Sequence, residues 1–292
     1  MIAAIPFPDI EPELFSIDLG GITLAIRWYA LAYIAGFLAA WWWANRSLRC
    51  PELWHDNIAP MQAKDTEILL TYAILGVIIG GRLGYVIFYA FPEVLADPLM
   101  ALRIWQGGMS FHGGFLGVIA AGLLFVRKTG TNPWSVGDCF ALGAPIGLFL
   151  GRLANFINSE LWGRPTDLPW GVIFPNGACA GVIDCPRHPS QLYEAGLEGL
   201  MLFVVITWLA YRRGWLKVPG RMVAVFFVGY GVARLFVEFF RQADAQFITS
   251  DNPMGYIVNL GVTGLTMGQI LSLPMIIAGL VVFFRIRPRV GG

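Results

Sequence analysis

Three arginines interrupt stretches of otherwise apolar sequence, and each needs either a compensating partner or a function. They are Arg82, Arg152 and Arg234. An isolated charge inside a bilayer costs from about 3 to more than about 10 kcal/mol, so an intramembrane arginine indicates a functional site. A guanidinium group stays charged and binds phosphate through two parallel hydrogen bonds. We therefore expect these arginines to bind the headgroup of a phospholipid.

Arg152 belongs to the segment GRLANFINSELWGR, residues 151–164. On a helix, Asn155 and Ser159 follow Arg152 at i+3 and i+7, with Asn158 alongside, so their polar ends share one face. We expect this face to point into a helical bundle, where Asn155 and Asn158 orient the headgroup. The alternative is that the two asparagines only form hydrogen bonds between packed helices.

Two more helical faces carry polar residues at regular spacing. One presents Tyr230, Arg234, Glu238 and Arg241, and the other presents Gln191, Glu194 and Glu198. The first face predicts a substrate-binding surface of Tyr230, Arg234 and Arg241, with Glu238 as a catalytic candidate. Two alternatives stay open. The Arg234–Glu238 pair could serve only to hold its helix in place, and the glutamates of the second face could serve only as partners of arginines.

The composition indicates a membrane protein with several spans. Of the 292 residues, 57% are hydrophobic and only 13% are charged, and the mean hydropathy is +0.63. Charged residues normally make up about a quarter of a soluble chain. Apolar runs of around 20 residues, which span about 30 Å of hydrocarbon, recur along the sequence. We predict an all-α bundle that forms a single transmembrane domain over residues 1–292, with a loop region on the outer side at residues 158–189.

The apolar runs predict about seven transmembrane helices. They cover residues 22–44, 66–90, 109–126, 136–157, 190–211, 222–240 and 266–284. Paired glycines allow close approach of helices or tight turns, so the bundle is expected to be dense. The pairs are Gly80 with Gly81, Gly107 with Gly108, and Gly113 with Gly114.

Lysine and arginine residues are distributed unevenly between the two sides of the predicted bundle. Of the 20, twelve fall in the loops after spans one, three, five and seven, five fall on the opposite side, and three lie inside spans. Cytoplasmic loops carry the excess of positive charge. The N-terminus is therefore expected outside and the C-terminus in the cytoplasm.

Depth estimates place the polar residues near one surface. With a helical rise of about 1.5 Å per residue, Arg152 lies roughly 24 Å from the cytoplasmic edge of its span. Arg82 and Arg234 fall in the same outer third, and spans that descend from outside begin near Tyr29 and His112. This distribution indicates an active-site layer in the outer leaflet rather than a pore lining. For Arg82 the alternative is that its side chain only extends to the interface.

Several other kinds of chemistry lack their residues in this sequence. There is no pair of intramembrane aspartates, no Gly-Xaa-Ser-Xaa-Gly motif, no phosphate loop and no His and Cys cluster with metal spacing. We therefore expect no metal, no cofactor and no nucleic-acid partner. Cys179 and Cys185 lie on the outer, oxidising side, where a disulfide could join them.

Seven segments together resemble the bacterial prolipoprotein diacylglyceryl transferase family. They are RWYAL (27–31), GGRLGYVIFY (80–89), GGMSFHGG (107–114), GRLANFINSELWGR (151–164), RHPSQLYEA (187–195), GYGVARLFVEFFRQADAQF (229–247) and MGQILSLPM (267–275). The match extends over essentially the whole chain. It departs from the family pattern at Ala154, at Ser159 and in the loop of residues 166–186.

The resemblance implies a multi-pass enzyme of the bacterial inner membrane with its active site toward the periplasmic leaflet. Its reaction would transfer the diacylglyceryl group of phosphatidylglycerol to the lipobox cysteine thiol of a preprolipoprotein signal peptide, forming a thioether and releasing glycerol phosphate. The implied partners are phosphatidylglycerol, the signal peptide and membrane lipids. In family terms, His112, Arg152 and Arg234 match essential residues. Other important positions match Tyr29, Asn155, Gly163 and Glu238.

We expect Arg152 and Arg234 to hold the phosphodiester and to stabilise the charge that grows on the departing phosphate. The thiol has a pKa of about 8.5, so it needs a base or a positive field that favours thiolate. His112 is one candidate base, Glu238 beside an arginine is another, and the positive field alone is a third. The residues leave two other functions open: a transporter or scramblase with charges along its path, and a receptor that only docks signal peptides.

Overall fold

The structure, a computed structural model, describes residues 4–18, 23–177, 179, 184–260 and 263–286. Most of these residues are helical. The α-helices in this part of the chain are α1 (Trp28–Leu48), α2 (Ala63–Tyr89), α3 (Phe91–Ala96), α4 (Phe111–Thr129), α5 (Pro133–Ile157), α6 (Ser190–Glu194), α7 (Leu202–Arg213), α8 (Arg221–Val237) and α9 (Met267–Arg285). A π-helical turn, Ala195–Met201, joins α6 to α7, so Ser190–Arg213 is one continuous helix.

Short strands also form three small sheets, which the prediction of an all-α fold omitted. The strands are β1 (Ile5–Pro6), β2 (Glu13–Asp18), β3 (Thr23–Arg27), β4 (Val172–Ile173), β5 (Pro186–Arg187), β6 (Val258–Asn259) and β7 (Gly264–Leu265). Strand β1 runs parallel to β4, which pairs antiparallel with β5. The pairs β2–β3 and β6–β7 are antiparallel.

Four helical segments in the described residues are long and apolar enough to cross a membrane. They are Ala63–Tyr89, Pro133–Ile157, Ser190–Arg213 and Met267–Arg285. Large apolar side chains remain exposed on such helices, for example Phe88 at 71% and Phe284 at 72%. Water disfavours surfaces of this kind and hydrocarbon solvates them. The chain is therefore a mostly helical membrane protein. The other predicted spans overlap α1, α4 and α8.

The first helix begins later than the apolar run predicts. The run starts at residue 22, whereas α1 starts at Trp28 because the preceding residues form β3. In the hairpin, Ser16 pairs with Ala25, and the Arg27 guanidinium lies 3.1 Å from the Glu13 carboxylate. Pairing with a partner strand thus replaces the first turns of the predicted helix.

Helices α2 and α4 approach each other through glycines. A Cβ atom on Gly80 would collide with the carbonyl oxygen of Gly113. The close helix approach predicted from the paired glycines is therefore confirmed for this contact. Gly107 and Gly108 form a tight turn before α4, with φ angles of 84° and 82° that favour glycine.

The two ends of the bundle differ in chemistry. At the end where α1, α4 and α7 finish, an apolar core includes Trp54, Phe125 and Met222. There the buried Asp138 carboxylate of α5 accepts hydrogen bonds from the backbone N–H groups of Gly220 (2.6 Å) and Val223 (3.0 Å), which fixes the start of α8. The opposite end, where α5 and α8 finish and α6 and α9 begin, contains a larger group of buried charged side chains.

The segment between α5 and α6 contains a small sheet and a disulfide. In the sheet, Ile5 of β1 pairs with Val172, and Val172 pairs with Arg187. Cys179 and Cys185 are bonded, with a Cα–Cα distance of 5.7 Å. The bridge that the sequence allowed is therefore confirmed.

Candidate active site

Six largely buried charged side chains meet at the end of the bundle where α5 and α8 finish. They are Arg152, Arg234 and Arg241 with Glu194, Glu198 and Glu238. The carboxylate side chains are between 0% and 3% exposed, and the arginine side chains are between 12% and 18% exposed. Three positive and three negative charges make this arginine–glutamate cluster formally neutral.

Glu194 joins the two arginines that were predicted as phosphate receptors. Its Oε2 lies 3.0 Å from Nε of Arg152, and its Oε1 lies 2.5 Å from Nη1 of Arg234. Glu198 is farther away, with Oε2 at 3.6 Å from Nη2 of Arg152 and Oε1 at 3.7 Å from Nη1 of Arg234. The predicted convergence of the two guanidinium groups is confirmed. Glu194 and Glu198 therefore do pair with arginines, and the guanidinium groups of Arg152 and Arg234 already have carboxylate partners.

A π-helical turn lies where the two glutamates face the arginines. Glu194 ends α6 and Glu198 lies within the turn Ala195–Met201. Such turns have i to i+5 hydrogen bonds and are frequent at functional sites. The apolar spacing predicts an ordinary α-helix through these residues, so the turn is a feature that sequence reasoning missed.

Glu238 connects the cluster to α9. Its Oε1 lies 2.6 Å from Nη2 of Arg234, and its Oε2 accepts a hydrogen bond of 2.8 Å from Oγ1 of Thr266. Thr266 is also the N-cap of α9 and accepts a hydrogen bond from the N–H of Gln269. Both oxygens of Glu238 are thus engaged, and the Arg234–Glu238 ion pair considered above is present.

Arg241 reaches the cluster by a different route from the one predicted. The regular spacing assumes that one helix extends from Tyr230 to Arg241, but α8 ends at Val237. The turn that follows brings the Arg241 guanidinium to 3.5 Å from Glu238 and 3.7 Å from Glu194. The single helical face was therefore wrong at its end, although Arg241 still joins the site.

Gly163 packs against this turn through its backbone. Its N–H donates to the carbonyl of His188 at 2.8 Å, and Gly163 forms a β-bridge with Arg241. Its carbonyl accepts a hydrogen bond of 3.0 Å from Nη1 of Arg187. A Cβ at Gly163 would lie 2.5 Å from the carbonyl oxygen of Phe240 and 2.6 Å from Cβ of His188. Gly163, which was predicted to bind substrate, therefore fixes the backbone position of Arg241.

The side chains of Asn155 and Asn158 contact Glu160, a residue that the helical spacing did not single out. Nδ2 of Asn155 donates to Oε1 of Glu160 at 2.7 Å, and Nδ2 of Asn158 lies 3.5 Å from the same oxygen. On either side of Glu160, Ser159 and Leu161 have φ angles of 53° and 57°. Left-handed backbone at such residues costs about 1–3 kcal/mol each and is typical of functional sites. The signal for Glu160 in the sequence was the presence of a carboxylate within the segment of residues 151–164.

Two tyrosines border the cluster. Tyr29, in the first turn of α1, interacts electrostatically with Arg152 and Glu160. Tyr230 of α8 interacts with Arg152 and Glu198. The structure therefore brings both predicted tyrosines to Arg152.

Arg82 has a different environment from the other intramembrane arginines. It is 5% exposed, and its Nε donates to the carbonyl of Ala101 at 3.0 Å. Its Nη1 donates to the carbonyls of Gly107 (2.5 Å) and Gly108 (3.1 Å), and its Nη2 donates to that of Met100. The guanidinium therefore holds the loop between α3 and α4. Neither direct phosphate binding nor extension to the interface describes this position.

His112 is the second residue of α4, the helix that this loop leads into. Ser110 caps α4 by accepting a hydrogen bond of 3.3 Å from the N–H of Gly113. The His112 side chain is exposed. His112 is thus accessible to a molecule outside the bundle, as a base acting on a second substrate requires.

These observations define a class: a polytopic helical membrane protein with a buried cluster of arginines and glutamates at one end of its bundle. Within the described ranges, no group of three or more His, Cys, Asp or Glu side chains is placed to hold a metal ion. The glutamates of the cluster face arginines instead. The charged groups that meet at this end in the described residues are therefore guanidinium groups and carboxylates.

Comparison with known proteins identifies the family. A family model described as prolipoprotein diacylglyceryl transferase matches residues 13–285. The chain is 56% identical over 291 residues to the phosphatidylglycerol–prolipoprotein diacylglyceryl transferase of Roseobacter denitrificans, which covers 98% of this chain and 99% of that protein. It is 57% identical over 289 residues to the protein of the same name from Cereibacter sphaeroides, with 98% of each chain covered. The Rhizobium meliloti protein of that name is 46% identical over 286 residues, covering 98% and 95%.

The chain belongs to the prolipoprotein diacylglyceryl transferase family. The resemblance found in seven sequence segments is therefore confirmed.

Proposed function

We propose that this protein transfers the diacylglyceryl group of phosphatidylglycerol to the lipobox cysteine thiol of preprolipoproteins, forming a thioether and releasing glycerol phosphate. Family membership supports the reaction, because the relatives are named for this lipid and this protein substrate. The observation that carries the site is the convergence of Arg152 and Arg234 on Glu194. Phosphate and carboxylate oxygens accept hydrogen bonds from the same donors, so a pair of guanidinium groups around one anion is a receptor for another.

The proposed topology has seven membrane spans and a single transmembrane domain over residues 1–292. The spans correspond to α1, α2, α4, α5, the continuous α6–α7 helix, α8 and α9. The distribution of lysine and arginine supports a periplasmic N-terminus and a cytoplasmic C-terminus in the bacterial inner membrane. Residues 158–189 then form a periplasmic loop region, and the Cys179–Cys185 disulfide suits that oxidising compartment.

Phosphatidylglycerol would bind with its phosphodiester between the two arginines. The phosphate oxygens would take over donors of Arg152 and Arg234 that now face Glu198, such as Nη2 of Arg152, while Glu194 keeps its closer contacts. Asn155 and Asn158 would act with Glu160, which offers a carboxylate acceptor to the hydroxyl groups of the glycerol headgroup. Tyr29 and Tyr230 border the same space and would orient the lipid.

In the transfer step, the thiol sulfur attacks the glyceryl carbon that carries the phosphate. The carbon–sulfur bond forms as the bond from that carbon to the phosphate oxygen breaks, and the electron pair leaves with the phosphate. The phosphate of the leaving glycerol phosphate thus gains a second negative charge. Arg152 and Arg234 would stabilise this charge as it develops. The thiol proton goes to a base, and His112 is the exposed candidate. Glu238, engaged through both oxygens, holds Arg234 in position.

The remaining site residues act at a distance from the phosphate. Gly163 fixes the turn that carries Arg241, and Arg241 contributes a third guanidinium beside Glu238. Arg82 fixes the loop that leads to His112. These residues would therefore influence the rate through the geometry of the groups that touch substrate.

A reconstituted assay tests the proposal. Purified protein in nanodiscs is mixed with phosphatidylglycerol and a synthetic lipobox peptide, and products are measured by mass spectrometry. The expected result is a peptide heavier by one diacylglyceryl group, with an equal amount of glycerol phosphate. A peptide with serine in place of the lipobox cysteine is the matched control and should stay unmodified. Bound peptide without product would indicate a docking receptor, and lipid movement between leaflets without product would indicate a scramblase.

A further inference from the structure

Glu198 is the least compensated carboxylate of the arginine–glutamate cluster. Its side chain is 0% exposed, and neither of its oxygens accepts a hydrogen bond from the described residues. Its nearest cations, Nη2 of Arg152 and Nη1 of Arg234, lie 3.6 and 3.7 Å away. A carboxylate withdrawn from water in this way is held in its ionised form only by charges that are shared with other groups.

The other two carboxylates are bound more tightly. Glu194 lies 3.0 Å from Arg152 and 2.5 Å from Arg234, and Glu238 lies 2.6 Å from Arg234 and accepts the 2.8 Å hydrogen bond of Thr266. Hydrogen bonds to an ionised carboxylate stabilise that form. Of the three glutamates, Glu198 is therefore the one whose negative charge is least compensated by contacts among the described residues.

Charge balance changes when a phosphodiester enters. The cluster alone has three cations and three anions, whereas a bound headgroup phosphate adds one negative charge among buried groups. The phosphate also draws on Arg152 and Arg234, which are the nearest cations of Glu198. One negative charge must then be neutralised or remain buried without a partner, which is strongly unfavourable.

We infer that Glu198 takes up a proton when the Arg152–Arg234 pair binds an anionic phosphate headgroup. The inference rests on the proposed function and adds a residue to it. The proton comes from solvent and binds one carboxylate oxygen, so the occupied site stays formally neutral. It returns to solvent when glycerol phosphate leaves and Glu198 regains its two arginines. Glu198 does not touch the reacting atoms, so it is a positioning residue that sets the charge of the site.

The groups that face Glu198 determine this behaviour. From α5 there is Arg152, from α8 there are Arg234 and Tyr230, and from the turn after α8 there is Arg241. Glu194 lies one turn away on the same helix. A neutral Glu198 also leaves both arginines to the phosphate as the leaving group gains its second charge.

Calorimetry on the full-length protein measures the proton directly. Short-chain dihexanoyl phosphatidylglycerol is titrated into the purified protein in buffers with different protonation enthalpies, and the dependence of the binding heat on buffer gives the protons taken up. The wild type should take up close to one proton in the pH range where free Glu198 is ionised. There its affinity for the lipid should weaken by up to tenfold per pH unit as pH rises.

The variant Glu198→Gln keeps the shape of a protonated glutamate and cannot take up the proton. It should bind the same lipid at least as tightly as the wild type at high pH, with no buffer dependence and a flat pH profile. Glu67→Gln, on the exposed surface of α2, is the control and should behave as the wild type.

Two outcomes would overturn the inference: binding by the wild type without proton uptake, or uptake that persists in Glu198→Gln. The wild-type result stands even if the variant does not fold. Failure of the proposed function is distinguishable, because the thioether assay on the same preparation would then give no product while proton uptake is still seen. Absence of lipid binding would overturn both.

Discussion

Arg152 on α5 and Arg234 on α8 contact opposite oxygens of a single carboxylate, that of Glu194, at 3.0 and 2.5 Å. The glutamate keeps two cations close together that would otherwise repel each other. In the proposed function a substrate phosphate binds beside this carboxylate, because it offers the same kind of acceptor to the two guanidinium groups. The cluster thus joins three helices, and in the proposed function it also holds two guanidinium groups in position for a phosphate.

Replacing Arg152 with lysine tests the bidentate grip. Lysine keeps the positive charge but loses the planar fork, so transfer to a lipobox peptide should fall by about 10²-fold or more. The thioether assay measures the rate. Arg212→Lys, at the exposed opposite end of the bundle, is the control and should retain full activity. Near-normal activity of Arg152→Lys would argue against a bidentate contact with phosphate.

Removing Glu194 tests whether the cluster holds the bundle together. In Glu194→Ala, Arg152 and Arg234 lose the closer of their two shared carboxylate partners while both stay largely buried. The expected loss in the free energy of unfolding is about 3–5 kcal/mol, since an uncompensated buried charge remains. Unfolding in detergent gives the value. Glu67→Ala on the exposed face of α2 should change it by less than about 0.5 kcal/mol. Equal stability of the two variants would contradict a structural role for Glu194.

Gly163→Ala should displace the turn that carries Arg241. The added Cβ would lie 2.5 Å from the carbonyl oxygen of Phe240, and backbone atoms cannot move aside as a flexible side chain can. We expect a loss of about 1–3 kcal/mol in stability together with a large loss of transferase activity. Gly147→Ala is the matched control, because nothing lies within 4 Å of its Cβ position. That helical substitution should be neutral or stabilising by up to about 1 kcal/mol. If both alanine variants behave alike, the packing role of Gly163 is wrong.

Much of the fold could be predicted because the length of an apolar run is a property of consecutive residues. The helix α9 occupies Met267–Arg285 against a predicted span of residues 266–284. The start of α1 was missed because β3 pairs with β2, and strand pairing depends on residues elsewhere in the chain. The end of α8 was missed because Arg241 is placed by its bridge to Gly163.

The depth of the site residues in the membrane could be predicted from the sequence, but their ion-pair and hydrogen-bond partners could not. The helical rise per residue places Arg152 and Arg234 at the same depth in the membrane, but it does not show which carboxylate lies between them. Arg82 was misjudged because its acceptors are backbone carbonyls, which have no sequence signature. The left-handed turn around Glu160 was missed because Ser159 and Leu161 are not residues that favour such backbone.

Arg82 should control the order of the loop before His112. In Arg82→Gln, the carbonyls of Met100, Ala101, Gly107 and Gly108 lose their charged donor. Hydrogen bonds to a charged group contribute about 1.5–3 kcal/mol each, so the loop should open and be cut faster by a protease. Limited proteolysis and the transferase assay measure the two effects. Unchanged cleavage in Arg82→Gln would refute this role, and Arg212→Gln serves as the remote control.

His188 should make stability depend on pH. Burial, and then the charge of Arg164, lower the pKa of His188 below its usual value. The unfolded chain therefore binds this proton more readily, so stability should fall as pH drops through about 6.5 and should stop falling below the pKa of the folded state. His188→Gln should lose that part of the pH dependence. Thermal unfolding at a series of pH values measures it, and an identical profile for both proteins would contradict the assignment.

The most direct test of the central claim is a structure of the full-length protein with phosphatidylglycerol bound. We expect the lipid phosphorus between Arg152 and Arg234, with phosphate oxygens about 2.7–2.9 Å from guanidinium nitrogens of both residues. Phosphate bound elsewhere, while both arginines still contact Glu194, would contradict it.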